Sequence, residues 1–243
     1  MPLIQHLRLD DPPRNVLSIA VLTRLATELA GLATDADAVI WSSSLPWGFS
    51  AGVDIKEHVP EQVPAMLAAI HVLFRQMVDL PCLLVAEVHG PCLGGAAELA
   101  FACDMVVASD NASFAFPEIT VGCFPPIALA TLGQRLGHVV ATELIISGRH
   151  FTAQEAQALG LVNKVVPQEV LVNRTQTLVE EWIEDSSRGT RRQTLQTLRR
   201  IRMLQWEAGL ALAEAAYADL PTGDQTEGIA AFLEKRPPVW GER

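Results

Sequence analysis

The order of hydrophobic and polar positions along the chain predicts strands alternating with helices through residue 166. Short apolar runs bounded by turn residues are typical of buried strands, whereas apolar positions three to four residues apart are typical of helices. By this criterion strands are predicted at 3–9, 38–41, 82–88, 105–108 and 113–116, with another ending at Val166. Helices are predicted at 18–32, at 60–79, up to about Cys103, over 126–147, and as a short helix between 147 and 166.

After residue 166 the pattern predicts only helices, in two pieces over 167–218 that break near 186–189. Alternating strands and helices followed by helices alone indicate an α/β core with a helical C-terminal part. We therefore expect two units, a core over residues 1–188 and a helical region over 189–243.

Composition narrows the class of protein. The chain has 243 residues, of which 49% are hydrophobic and 19% charged, so it can bury a sizeable core. Its formal net charge of −10 argues against a general nucleic-acid binder, which needs an excess of Lys and Arg.

Neither a signal peptide nor an apolar run of membrane-spanning length is visible, which favours the cytoplasm. The four cysteines lack metal-ligand spacing, and we expect free, mostly buried thiols.

The segment 83–104 carries the strongest chemical signal: an apolar strand, a turn with Gly94 and Gly95, and then a helix. Glycines let a ligand approach the backbone closely, and the first N–H groups of a helix have no internal acceptor. Such a turn can stabilise a carbonyl oxygen that gains negative charge. Glu98 lies one turn further along otherwise apolar sequence. It is either a helix-start carboxylate or a functional one.

Two other segments are ambiguous when each is taken alone. The loop 47–56 contains small residues followed by Asp54 and Lys56, and an ordinary turn with Asp54 as a helix cap would explain it. Glu118 follows Pro117 among apolar residues, where a surface turn glutamate is an equal alternative.

Taken together, these segments resemble the crotonase superfamily, the enoyl-CoA hydratase/isomerase family. The likeness extends from about Leu9 to Trp240. Its motifs are Ser50-Ala51-Gly52-Val53-Asp54-Ile55-Lys56, His89 to Asp104, Phe116-Pro117-Glu118 with Gly122, Ser147 to Val166, and Gly228 to Pro237. The resemblance implies a ββα spiral core over 1–188, followed by a helical oligomerisation region over 189–243.

The resemblance also implies roles for individual residues. The N–H groups of Ala51 and Gly95 would form an oxyanion hole for a thioester, and Glu98 and Glu118 would be the catalytic acid and base. Both glutamates together favour hydration over isomerisation. Coenzyme A would arrive as part of the substrate, with no separate cofactor and no metal. Its binding residues would be Gly52, Val53, Asp54, Ile55, Lys56, Phe232 and Lys235.

The chain departs from the common pattern of the family after Glu118. Bulky residues and prolines, Cys123-Phe124-Pro125-Pro126-Ile127, replace a Gly-rich stretch, so we expect a reshaped acyl pocket. The "FSAGVD" loop and this Pro-containing stretch are similar to the alicyclic dienoyl-CoA hydratases, typified by cyclohexa-1,5-diene-1-carbonyl-CoA hydratase. A reaction on such a cyclic dienoyl thioester, as in anaerobic aromatic degradation, is therefore one hypothesis.

Two alternatives stay open: a straight-chain enoyl-CoA hydratase or isomerase, and a non-catalytic or RNA-binding protein of the same fold. Six arginines between Arg188 and Arg202 motivate the second, although a solvated helix face or a subunit contact explains them better. His58, His71, His89 and His138 are interpreted as structural. The resemblance implies a homo-oligomer, either a trimer or a dimer of trimers, with no nucleic-acid or membrane partner.

Overall fold

A computed structural model describes residues 2–32, 36–218, 220 and 222–240. The predicted core unit begins at Met1 and the predicted helical region ends with 241–243, and these residues lie outside the described ones. The strands are β1 (Ile4–Leu9), β2 (Val16–Leu17), β3 (Ala38–Ser43), β4 (Gly52–Val53), β5 (Leu83–Val88), β6 (Pro91–Leu93), β7 (Met105–Ser109), β8 (Ser113–Ala115), β9 (Phe151–Thr152) and β10 (Lys164–Val166).

The helices follow the same chain order. They are α1 (Ile19–Leu32), α2 (Val63–Asp79), α3 (Gly95–Ala102), α4 (Pro126–Leu136), α5 (His138–Ser147), α6 (Ala153–Ala158), α7 (Leu171–Ile183), α8 (Arg188–Ala218) and α9 (Thr222–Glu234). Short 3₁₀ helices lie at Ile55–Glu57, Pro117–Val121 and Gln168–Val170.

The main sheet is parallel and has the strand order β1-β3-β5-β7-β10. A second sheet, β6-β8-β9, and the pair β2-β4 stand beside it. Chain segments return repeatedly to the main sheet after contributing a short strand elsewhere, which produces the predicted ββα spiral. Every residue of β5 is buried, as expected for a central parallel strand covered on both faces.

Local signals position several helices as expected. Ser18 Oγ accepts from the N–H of Val21 at 3.3 Å and caps α1, and α2 ends just before Pro81. The large core lies between the sheets and α1 to α5. A smaller core, which includes Leu178 and Val179 of α7, covers the other face of the main sheet.

The region 126–147 is not one helix. Gly137, with φ of +79°, ends α4 and precedes α5, because the left-handed backbone there cannot continue a helix. The predicted break near 186–189 is confirmed, since α7 ends at Ile183 and α8 begins at Arg188. The division into a spiral core and an oligomerisation region stays a prediction.

The arginines of α8 are not a freely solvated row. Arg199 is only 2% exposed and pairs with Asp104, to which Arg202 also lies within 3.3 Å. Arg188 and Arg191 both pair with Asp37. The expectation of a solvated face was therefore wrong for Arg199, because this part of α8 packs on the core.

Two compositional expectations can be compared with the fold. Cys82, Cys92, Cys103 and Cys123 are free and buried, as predicted. Among the described residues, none of the helices combines the length and apolar character needed to cross a membrane.

Candidate active site

Two connected cavities lie beside the Gly94-Gly95 turn. The outer cavity has a volume of about 480 Å³ and the inner cavity one of about 20 Å³. Val53, His58 and Glu118 line both of them, so the cavities meet at these three side chains. The wide outer cavity therefore adjoins a much smaller inner chamber.

Glu98 reaches the inner cavity from the first turn of α3 and is 4% exposed. Its Oε1 accepts from the N–H of Ala128 at 2.8 Å, within the first turn of α4. That N–H belongs to a helix start, where partial positive charge favours a carboxylate. Burial nevertheless raises the pKa of Glu98 from 4.5 to about 7, although hydrogen bonds from the Ala128 and Ile127 N–H groups oppose the shift.

Glu118 lies in the 3₁₀ helix Pro117–Val121 and faces the same chamber. Its Oε2 is buried and has no hydrogen-bond partner among the described residues. Burial raises the pKa of Glu118 well above its usual value, and the charge of Glu98 adds to the increase. The structure thus brings the two predicted carboxyl groups together, although they are twenty residues apart in sequence.

Gly94 is needed for this arrangement. Its φ is +53°, and a Cβ at this position would lie 2.6 Å from Glu118 Oε1. A side chain here would strain the backbone and displace the carboxyl group. Gly95, the first residue of α3, presents an N–H that has no acceptor within its helix.

The structure corrects the predicted role of Ala51. Its N–H donates to the backbone oxygen of Arg14 at 3.0 Å and is not free for a thioester. The next N–H, that of Gly52, donates to Ser50 Oγ at 3.1 Å. Neither group is therefore a free oxyanion donor.

The N–H of Val53 is the better placed donor. The N–H of Asp54 donates to Leu17 of β2 at 3.4 Å, and successive residues of a strand face opposite sides. The Val53 N–H accordingly points away from β2, the strand with which β4 pairs in the described sheets. Val53 also adjoins the glycine turn, because a Cβ at Gly95 would lie 2.6 Å from Val53 Cγ2.

The other predicted binding residues separate into two groups. Gly52, Val53, Asp54, Ile55 and Phe232 line the outer cavity. Lys56 and Lys235 are exposed and do not line it. Asp54 also caps the following 3₁₀ helix, since its Oδ1 accepts from the Lys56 N–H at 3.0 Å, so the helix-cap interpretation is confirmed while a role in binding coenzyme A stays a prediction.

Several lining residues were not predicted. Arg14, Trp47 and His150 line the outer cavity, and the Arg14 guanidinium lies 5.5 Å from the centre of the Trp47 ring. Arg14 lies in the turn before β2. Apart from its charge, nothing in the sequence around it indicated a role in ligand binding. Among the described residues that line the outer cavity, Arg14 is the one Lys or Arg.

His58 was interpreted as structural, and its contacts support that role in part. Its Nδ1 lies 3.0 Å from the carbonyl oxygen of Asp54, which can only accept, so Nδ1 carries the proton. Burial lowers the pKa of His58, which favours the neutral ring. Through its contact with Asp54 the His58 ring holds the loop that precedes it. Because the ring also lines both cavities, it shapes the place where they meet.

Comparison with known proteins agrees with this geometry. The model of the enoyl-CoA hydratase/isomerase family matches residues 3–243. The chain belongs to this family, and the predicted fold and the predicted class of enzyme are confirmed.

Individual relatives cover nearly the whole chain. It is 31% identical to cyclohexa-1,5-dienecarbonyl-CoA hydratase of Thauera aromatica, over 98% of this chain and 93% of that protein. It is 34% identical to 2,3-dehydroadipyl-CoA hydratase of Escherichia coli, over 93% and 89%. A solved enoyl-CoA hydratase/isomerase of Pseudoalteromonas atlantica superimposes with a TM-score of 0.84 at 27% identity, over 98% and 96% of the two chains.

Proposed function

We propose that the chain adds water to the conjugated acyl group of a coenzyme A thioester. The observation that carries this proposal is the meeting of two buried carboxyl groups, Glu98 and Glu118, in one chamber at the end of a wide cavity. Two carboxyl groups in an apolar chamber have pKa values that are pushed apart, which suits one acid and one base.

In this proposal the thioester oxygen accepts hydrogen bonds from the N–H groups of Val53 and Gly95. The Val53 side chain adjoins Gly95, and both residues line the inner cavity. Donors held there stabilise the enolate-like charge that develops on the oxygen as water adds to the alkene. The β-carbon, or a vinylogous carbon, thereby becomes electrophilic.

Glu98 is the proposed base and Glu118 the proposed acid. The helix-start N–H of Ala128 stabilises the ionised form of Glu98, whereas Glu118 Oε2 has no donor among the described residues. Burial and the charge of Glu98 both raise the pKa of Glu118, which favours its protonated form. Glu98 then removes a proton from water, and Glu118 delivers one to the α-carbon.

For the acyl group we propose an uncharged alicyclic dienoyl thioester. At about 20 Å³ the inner chamber is too small for an alicyclic ring, so the acyl group would lie where the two cavities meet, beside the chamber that Phe124 and Pro126 wall. No Lys or Arg stands among the described lining residues of that chamber, so an acyl carboxylate that pointed towards it would meet no cation. This disfavours a dicarboxylic acyl group such as the one in the name of the Escherichia coli relative.

The coenzyme A portion would occupy the outer cavity. Trp47, Ile55 and Phe232 offer apolar contacts, and Arg14 offers a guanidinium for a phosphate group. Lys56 and Lys235, which do not line the cavity, would contribute at most to its outer rim.

The homo-oligomer also stays a proposal. Leu198, Ile201, Leu204 and Leu212 of α8 are exposed, and burying such a row against another copy would be favourable. A mass measurement in solution would test it, and a monomer at all concentrations would refute it. The cytoplasmic location remains an expectation.

A panel of acyl-CoA thioesters, assayed for gain or loss of water, tests the function. We expect turnover of cyclohexa-1,5-diene-1-carbonyl-CoA to exceed that of crotonyl-CoA. Faster turnover of crotonyl-CoA would favour the straight-chain alternative. Absence of hydration with every member of the panel would refute the proposal.

A further inference from the structure

Tyr217 has a buried hydroxyl that the proposed reaction has not yet used. It is the only tyrosine of the chain and is 3% exposed. It lies near the end of α8, far in sequence from the other residues of the site, yet it lines the inner chamber together with Glu98 and Glu118.

The ring of Tyr217 is well packed, but its hydroxyl is poorly satisfied. The ring lies edge-on to Phe124, with centroids 5.1 Å apart. No oxygen or nitrogen of the described chain accepts from Oη. Its polar neighbour is the Cys123 thiol, a weak acceptor that already takes a hydrogen bond from Gln225 Nε2 at 3.6 Å. Packing alone would be served by phenylalanine, because a buried hydroxyl without a good partner is unfavourable.

A second unpartnered atom, Glu118 Oε2, lines the same chamber. The chamber volume of about 20 Å³ is just above what one water molecule requires. A buried water needs two to four polar partners, and the chamber offers Tyr217, Glu98, Glu118 and the His58 ring. Size and polar groups therefore both fit a single water site.

We propose that Tyr217 is a further catalytic residue, whose hydroxyl donates to the water that is added to the acyl group. This inference rests on the proposed hydratase function. In it, the water accepts from Tyr217 and donates to Glu98, while its second lone pair faces the alkene.

The step balances without any further reactant. A carbon–oxygen bond forms between the water and the electrophilic carbon, and Glu98 takes one proton from that water. Glu118 gives its own proton to the α-carbon, where the alkene electrons form the new carbon–hydrogen bond. The proton on Glu98 then returns to Glu118 through the next water. Tyr217 keeps its proton and only orients the nucleophile.

The variant Tyr217→Phe removes the hydroxyl and keeps the ring on Phe124. We expect kcat for hydration to fall about tenfold, since one hydrogen bond to the nucleophile is lost. The KM for the thioester should stay within about twofold, because the phenol is proposed to touch water and not the thioester. Exchange of the α-proton of butyryl-CoA in D₂O, which needs no water at the β-carbon, should be unchanged.

A merely structural tyrosine would give a different result. Hydration and α-proton exchange would then fall together, which would overturn the proposal, as would full hydration activity in Tyr217→Phe. The matched control is Trp206→Phe, a buried ring of α8 that packs on Phe74 at 5.9 Å and does not line the chamber. It should lower the melting temperature without changing the ratio of hydration to exchange.

A crystal structure at high resolution tests the water site separately from turnover. We expect a water within hydrogen-bonding distance of Tyr217 Oη in the native protein and its loss or displacement in Tyr217→Phe. No water at Oη would overturn the inference even if hydration is observed. Ordered water at Oη with no hydration of any thioester would refute the proposed function, and with it the catalytic role of Tyr217, while the water site itself would stand.

Discussion

Two buried carboxylates stand at opposite ends of α3 and have opposite surroundings. Asp104, just after the helix, pairs with Arg199, lies 3.3 Å from Arg202, and accepts from the Leu84 N–H at 2.9 Å. Glu98, in the first turn, accepts from backbone N–H groups and faces a second carboxyl group. No Lys or Arg is among the described residues that line its chamber.

The difference separates a structural charge from a functional one. A buried carboxylate with two guanidinium partners has its charge balanced and holds α8 to the core. A buried carboxyl pair without a cation costs stability and is retained where its proton is needed. Burial alone therefore does not distinguish the two roles, whereas the balance of charge does.

The largest expected effect is on catalysis. Glu98→Gln and Glu118→Gln should each lower kcat for hydration by about 10²- to 10⁴-fold, because each removes a group that transfers a proton. Neither should lower the melting temperature, since each replaces one carboxyl group of a like-charged pair by a neutral amide. Steady-state kinetics and thermal unfolding of the same samples provide the measurement. Unchanged turnover in both variants would contradict the assignment.

Asp104→Asn should have the reverse effect. Leaving Arg199 buried without its counter-ion should cost about 3 to 5 kcal/mol of unfolding free energy. Turnover per folded molecule should be retained, because Asp104 does not line either cavity. Urea unfolding and kcat at a temperature where the variant is folded measure both quantities. A large loss of kcat with little loss of stability would remove the contrast between the two carboxylates.

The pH dependence provides a third test. With the pKa of Glu98 raised to about 7, the base ionises only as the pH rises through neutrality. We expect kcat/KM to fall about tenfold for each pH unit below 7.

The stability of the fold should show the opposite dependence on pH. The unfolded chain loses this proton near pH 4.5 and the folded chain near 7, so stability falls as pH rises between these values, by on the order of 3 kcal/mol.

Glu98→Gln is the control for this trend. It should reduce the slope of the stability curve between about pH 4.5 and 7 by the part that Glu98 contributes, whereas Glu118, whose pKa is also raised, keeps its own part. A curve of the same steepness in the variant would show that another group is responsible.

The smallest expected effect belongs to Arg202→Ala. Its guanidinium is 30% exposed and lies 3.3 Å from Asp104, whereas Arg199 is buried and makes the closer pair. We expect a loss of at most about 1 kcal/mol in the free energy of unfolding, measured by urea. A loss as large as that of Asp104→Asn would mean that both arginines are needed to balance the charge.

The sequence by itself determined the strands of the main sheet, most of the helices and the family, and it singled out both glutamates. These follow from local periodicity and from motifs, which are properties of neighbouring residues. Only the tertiary structure decided that the Ala51 N–H is occupied, because its acceptor is the Arg14 carbonyl in the turn before β2. It alone brought Tyr217 of α8 into the chamber of Glu98 and gave Arg199, but not Glu98, an opposite charge. Such contacts join segments about a hundred residues apart, and no local pattern encodes them.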